Sequence, residues 1–163
     1  MRVLPLLFYI RDKPIEERYD ITKKVCSITH GHIRSAIACF YYLEFARCLL
    51  NGDDKFSIYQ KLKSSVTDFL NSIQINSYEI ALFERLLQKD IYMLDESEIK
   101  SSGYVLHTLE ASIWCLLITN NYRDAVLKAV NLGEDTDTTG AITGGLASLL
   151  YGHENIPENW LSQ

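Results

Sequence analysis

Apolar residues recur at intervals of three and four along nearly the whole chain, the spacing of helices that each bury one face. Ile15, Tyr19, Thr22 and Cys26 form the first such stripe, and Pro14 suits its first turn. Ile33, Ile37, Phe40, Tyr41 and Leu49 carry a second helix over residues 33–51, which Gly52 stops. Asp53 or Asp54 caps a third, with Phe56, Tyr59, Val66, Phe69, Leu70 and Ile73 on its buried face. Ser77 caps a fourth, with Ile80, Phe83, Leu86 and Leu87 inward. Residues 90–103 read as a loop holding a short turn. Helices follow over 105–119 and over 122–132, the latter ended by Gly133, and from near Asp137 to a stop at Gly152. Trp160, after Pro157, is expected to pin the end of the chain. Period-two alternation is short wherever it occurs, and no repeat or low-complexity linker breaks the pattern. It predicts an all-α, compact multi-helix bundle forming a single domain over residues 1–163.

Composition narrows the class. The 163 residues are 47% apolar, enough for a substantial core. The net charge of −5 is spread without a basic stripe, which argues against a nucleic-acid partner. The apolar start, residues 1–10, is too short to span a membrane, and Arg11-Asp12-Lys13 follows it without a small-residue cleavage site. Neither a signal nor a membrane partner is expected. Cys26, Cys39, Cys48 and Cys115 form no Cys-x-x-Cys pair and sit among apolar residues at helical spacing, as reduced core thiols of a cytoplasmic protein do. His30, His32, His107 and His153 have no cysteine partners at zinc spacing. Glu44 and Glu110 lie on otherwise apolar helices, where pairing with a buried arginine is expected.

The chemistry is concentrated in Gly133-Glu134-Asp135-Thr136-Asp137-Thr138-Thr139-Gly140-Ala141-Ile142-Thr143-Gly144-Gly145. Two aspartates and three threonine hydroxyls gather at a helix start, an all-oxygen set that suits Mg²⁺, Ca²⁺ or Mn²⁺ over zinc. An EF-hand does not fit. Asp135, Asp137, Thr139 and Gly140 stand at its positions one, three, five and six, but position twelve is Leu146 instead of a glutamate. The glycines lack the spacing of a phosphate-binding loop. A plainer reading stays open: acidic N-capping of a helix whose small residues let a neighbour pack close.

The run 131–141, Asn-Leu-Gly-Glu-Asp-Thr-Asp-Thr-Thr-Gly-Ala, resembles the C-terminal motif of the ADP-ribosylglycohydrolase family. Ser102-Gly103-Tyr104-Val105 with Leu109-Glu110-Ala111 and Trp114, Gly145-Leu146-Ala147 with Tyr151-Gly152, Ile156-Pro157 and Trp160, and the Thr-His element in Ser27-Ile28-Thr29-His30 resemble further family segments. Position 107 is often acidic in related sequences, so His107 departs from the pattern. The resemblance implies an all-α fold and hydrolysis of the glycosidic bond between ADP-ribose and a protein side chain or small molecule, with two Mg²⁺ ions. It implies metal ligation by Asp135, Asp137 and Thr138, a catalytic role for Asp135 or Asp137, and substrate binding by His30, Tyr104 and Gly133.

The family's longer N-terminal half supplies a Thr-Asp-Asp element, a further acidic ligand and a Gly-Asn-Gly loop, none of which occurs here. The resemblance is therefore to an N-terminally truncated family fold, with residues 1–10 expected inside a buried helix and at most a partial Mg²⁺ site. Two functional readings follow. One is a Mg²⁺-dependent hydrolase acting on ADP-ribosylated protein. The other is an inactive helical remnant that binds ADP-ribose weakly, self-associates or joins a partner carrying the N-terminal half.

Overall fold

The computed structural model describes residues 2–162. The chain forms two compact units, one up to Asp90 and one from Ile91 onward. Among the described residues every regular element is helical and there is no strand.

In the first unit a 3₁₀ turn, Leu4–Leu6, leads into α1 (Leu7–Ile10), followed by α2 (Ile15–Ser27), α3 (Ile33–Leu50), α4 (Lys55–Ser72), α5 (Ser77–Ala81) and α6 (Glu84–Leu87). Residues 35–46 of α3 are all buried, as an almost continuously apolar helix requires. It packs against α2 and α4. Tyr19 of α2, Phe40 of α3 and Phe69 of α4 meet with ring centroids 5.2 to 5.5 Å apart, so three helices converge on one aromatic cluster.

Glu44 is paired as expected. Arg18 donates to both of its oxygens, from Nε at 2.6 Å and Nη2 at 2.7 Å, and Arg47 donates from Nη2 at 3.2 Å. Arg18 Nη1 turns back to the Lys13 carbonyl at 2.5 Å. A carboxylate on a buried helix is tolerated because both of its oxygens are engaged by cations. All four cysteines are free and buried, also as expected. Burial pushes the Cys115 thiol up to about 12.

Several expectations need correction. The single helix expected after residue 77 is broken into α5 and α6 by a turn at Leu82 and Phe83. Residues 3–10 are not buried all round: Val3, Leu7 and Ile10 point inward, while Phe8 and Tyr9 are 60% and 66% exposed. Pro5 starts a 3₁₀ turn, and the short helix after it buries only one face; Met1 lies outside the described residues. Phe56 is 41% exposed, because it sits in the first turn of α4 beside the inward stripe and lies under the Lys55 ammonium instead. The cap of α5 is Asn76, whose side chain accepts the Tyr78 N–H, and not Ser77.

The second unit opens with two 3₁₀ turns, Ile91–Met93 and Glu96–Glu98, where a single loop with a turn was expected. Asp95 and Glu98 form a reciprocal capping box there. Then come α7 (Val105–Ile118), α8 (Tyr122–Asn131), α9 (Thr136–Tyr151), a 3₁₀ turn (His153–Asn155) and α10 (Glu158–Leu161). α9 packs along both α8 and α7. Trp114 Nε1 donates to the Leu94 carbonyl at 3.1 Å, tying the opening turns to α7. Trp160 does pin the end of the chain, lying edge-on to Tyr122 with centroids 6.3 Å apart. Among the described residues no helix is long and apolar enough to cross a membrane.

Removing Glu44 leaves Arg18 buried without its carboxylate. Glu44→Ala is expected to cost about 3–5 kcal/mol, read from urea unfolding. Asp54 gives a pH signature. The Ser57 N–H bonded to its carboxylate at 2.9 Å holds it below the usual carboxylate range. That stabilisation is complete above the unfolded carboxylate value and is lost as pH falls through the lower folded one. Asp54→Asn keeps the cap and should flatten that part of the acid limb.

Candidate functional site

The acidic run begins where α8 ends. Gly133 takes φ of +83° and Glu134 of +52°, two consecutive left-handed residues that reverse the chain into α9. Only glycine enters the first of these without a steric cost. The reversal is held from outside by Ser101. Its carbonyl accepts the Asp135 N–H at 3.1 Å, and its hydroxyl donates to the Gly133 carbonyl at 2.9 Å, with the Leu132 carbonyl 3.3 Å away.

Asp135 is the N-cap residue of α9, as the plainer reading expects, but its side chain makes no capping bond. The carboxylate turns toward the 101–104 turn. A Cβ on Gly103 would stand 3.2 Å from Asp135 Oδ2, so the missing side chain at 103 makes room for this carboxylate. Asp137, in the first turn of α9, is exposed, and Thr138 beside it is half-buried. The 101–104 turn is braced by α7: Ser102 Oγ and His107 Nδ1 share a hydrogen bond of 2.7 Å, and the Thr108 hydroxyl reaches the Ser102 and Tyr104 carbonyls, each at 3.3 Å. Tyr104 is 39% exposed and meets the His107 ring edge-on, centroids 5.1 Å apart.

Gly133, Asp135, Asp137 and Thr138 therefore share one turn, and the turn that leads to Tyr104 lies against it. His30 belongs to the other unit. It is exposed, with Nδ1 2.9 Å from the Thr29 hydroxyl. His32 is exposed and caps α3, its Nδ1 accepting the Arg34 N–H at 3.2 Å. Ser101 was missed by sequence reasoning; its signal is the small polar run Ser101-Ser102-Gly103 directly before a helix.

The small residues of α9 serve close packing. A Cβ on Gly140 would come within 2.8 Å of Val130 Cγ1, and one on Gly144 within 3.3 Å of the Tyr122 hydroxyl. The glycines at 140 and 144 thus belong to the α8–α9 contact, while Asp135 and Asp137 stand at its open end. As a donor set, two carboxylates and a hydroxyl fit one side of a hard dication such as Mg²⁺, and the uncapped Asp135 carboxylate is available for it. Among the described residues no three His, Cys, Asp or Glu gather as a complete metal cluster.

Among the described residues the fold is all-α, and sequence comparison gives the family. The model of the ADP-ribosylglycohydrolase family matches residues 1–163, so the chain belongs to that family. It is 53% identical over 66 residues, 40% of this chain, to the ADP-ribosylarginine hydrolase Tri1 of Serratia proteamaculans, covering 18% of that protein. It is 32% identical over 137 residues, 84% of this chain, to the ADP-ribosylarginine hydrolase Tri1 of Pseudomonas putida, covering 33% of it. It is 38% identical over 64 residues, 39% of this chain, to the ADP-ribosyl-[dinitrogen reductase] glycohydrolase of Rhodospirillum rubrum, covering 22% of it. A solved structure titled ADP-ribosylglycohydrolase-related protein complex shares the fold, with a TM-score of 0.77 at 24% identity over 97% of this chain and 50% of its own. The chain thus spans a third or less of these curated relatives and half of the solved neighbour.

The α8–α9 contact makes a sign prediction. Alanine in place of a helical glycine gains about 1 kcal/mol of propensity, but overpacking costs about 1–3 kcal/mol. Gly140→Ala should destabilise the protein in thermal unfolding. In a Val130→Ala background the same change should stabilise it.

Proposed function

We propose that this chain carries part of the catalytic site of a Mg²⁺-dependent ADP-ribosyl hydrolase that cleaves the N-glycosidic bond between ADP-ribose and an arginine side chain. The observation that carries the reading is the Asp135 carboxylate, which occupies an N-cap position yet leaves the helix N–H groups alone, in the same helix start as Asp137 and Thr138. The arginine linkage is supported by the names of the Serratia and Pseudomonas relatives, both ADP-ribosylarginine hydrolases.

Asp135, Asp137 and Thr138 would hold Mg²⁺ through oxygen. Bound there, the cation supplies charge that orients ribose hydroxyls and acidifies a water. The chain's own groups do the rest. A carboxylate oxygen of Asp135 or Asp137 takes a proton from the water attacking the anomeric carbon. The bond to the arginine nitrogen breaks through an oxocarbenium-like state, and the leaving guanidine takes up a proton. Tyr104 offers an exposed ring and hydroxyl for the ADP-ribose, and the Gly133 backbone lines the same turn. The reduced, buried thiols support work in the cytoplasm.

A second reading is favoured by one observation: two carboxylates fall short of a three-residue metal cluster among the described residues. On it, the chain binds ADP-ribose weakly by itself and becomes active with a partner that adds acidic ligands.

Calorimetric titration of ADP-ribose, with and without Mg²⁺, tests the site. Asp135→Ala removes no capping bond, so it should fold normally while Mg²⁺-dependent affinity falls about tenfold or more, since affinity follows ligand charge. Equal affinity in wild type and mutant would overturn the assignment of Asp135. Binding without hydrolysis of ADP-ribosylarginine would favour the second reading.

A further inference from the structure

The geometry points to His107 as a positioning residue that sets the Asp135 carboxylate through Ser102 and Gly103, a role that rests on the reading of Asp135 as a ligand. His107 stands in the first turn of α7, half-buried. Its Nδ1 lies 2.7 Å from Ser102 Oγ, which also accepts the Tyr104 N–H at 3.4 Å. The turn it grips touches the acidic run at three points. Ser101 O accepts the Asp135 N–H, Ser101 Oγ donates to the Gly133 carbonyl, and Gly103 leaves room for Asp135 Oδ2.

Ser102 sits between these contacts, so its position sets the others. Residues 101–104 lie outside any helix and have no ladder of backbone bonds to hold them. A side-chain bond from a packed helix is therefore a strong constraint on where the turn sits. The same imidazole fixes the Tyr104 ring by its edge-on contact. One residue thus couples the wall that shapes Asp135 to the aromatic proposed to meet the ADP-ribose. Groups that orient a ligand commonly change metal-site affinity about 10- to 100-fold when lost.

Two near-isosteric replacements separate positioning from bulk. His107→Asn puts a polar atom where Nδ1 stands and keeps the bond to Ser102. His107→Gln puts it where Nε2 stands and loses that bond. The first readout is hydrogen exchange of the Asp135 amide, which depends on the Ser101 carbonyl staying in place. The second is Mg²⁺-dependent ADP-ribose affinity by calorimetry.

His107→Gln should speed Asp135 exchange and weaken binding, each about tenfold, and His107→Asn should restore most of both. Ser102→Ala should match His107→Gln, with the double variant no worse than either single one; it also carries the test should His107→Gln fail to fold. Unchanged Asp135 exchange in both His107→Gln and Ser102→Ala overturns the proposal, as does faster exchange with unaltered affinity. Faster exchange in a chain whose wild type binds no ADP-ribose upholds the mechanical link and instead overturns the Mg²⁺ reading of the site.

Discussion

The second unit depends on one chain reversal, the left-handed pair Gly133-Glu134 tied to Ser101. It ends α8, starts α9 and puts Asp135 at the N-cap in a single step. Because the two helices leave the reversal side by side, their flanks must approach closely. Gly140 against Val130 and Gly144 against Tyr122 are the consequence. The glycines along α9 and the acids at its head are two results of the same turn. One lets the helices meet, and the other occupies the end at which their backbones part.

The first unit solves a different problem. Its central helix α3 carries a carboxylate through the core, and Arg18 and Arg47 converge on it from two helices. The bidentate geometry of Arg18 satisfies both oxygens, so the burial is tolerable without being a source of net stability. The arrangement orients α2 against α3 more specifically than the aromatic contacts do, since rings can slide and a forked charge pair cannot.

The helices were readable from the sequence because their signals are local. Gly52, Gly133 and Gly152 all end helices with positive φ, where the pattern placed its stops. The errors were also local competitions. Asn76 won the cap from Ser77, and Phe56 lay one position away from the stripe it seemed to join. The site was readable only in part. Its acids stand in a single run, so their proximity follows from sequence. Their freedom does not: an aspartate at a helix start is ordinarily its cap, and only the structure shows Asp135 turned away. The contact between residues 101–104 and 133–135 joins segments some thirty positions apart, and nothing in either announces the other. Family resemblance marked both segments, but it did not reveal the contact between them.

Glu134 shows what the reversal demands of the fold. A residue with a side chain held at φ of +52° gives up roughly 1 kcal/mol or more relative to an ordinary helical or extended conformation. Asparagine would sit there with less strain and glycine with almost none. A chain shaped by thermal endurance alone would have one of those at this position. The glutamate leaves a stabilising substitution unused directly beside Asp135.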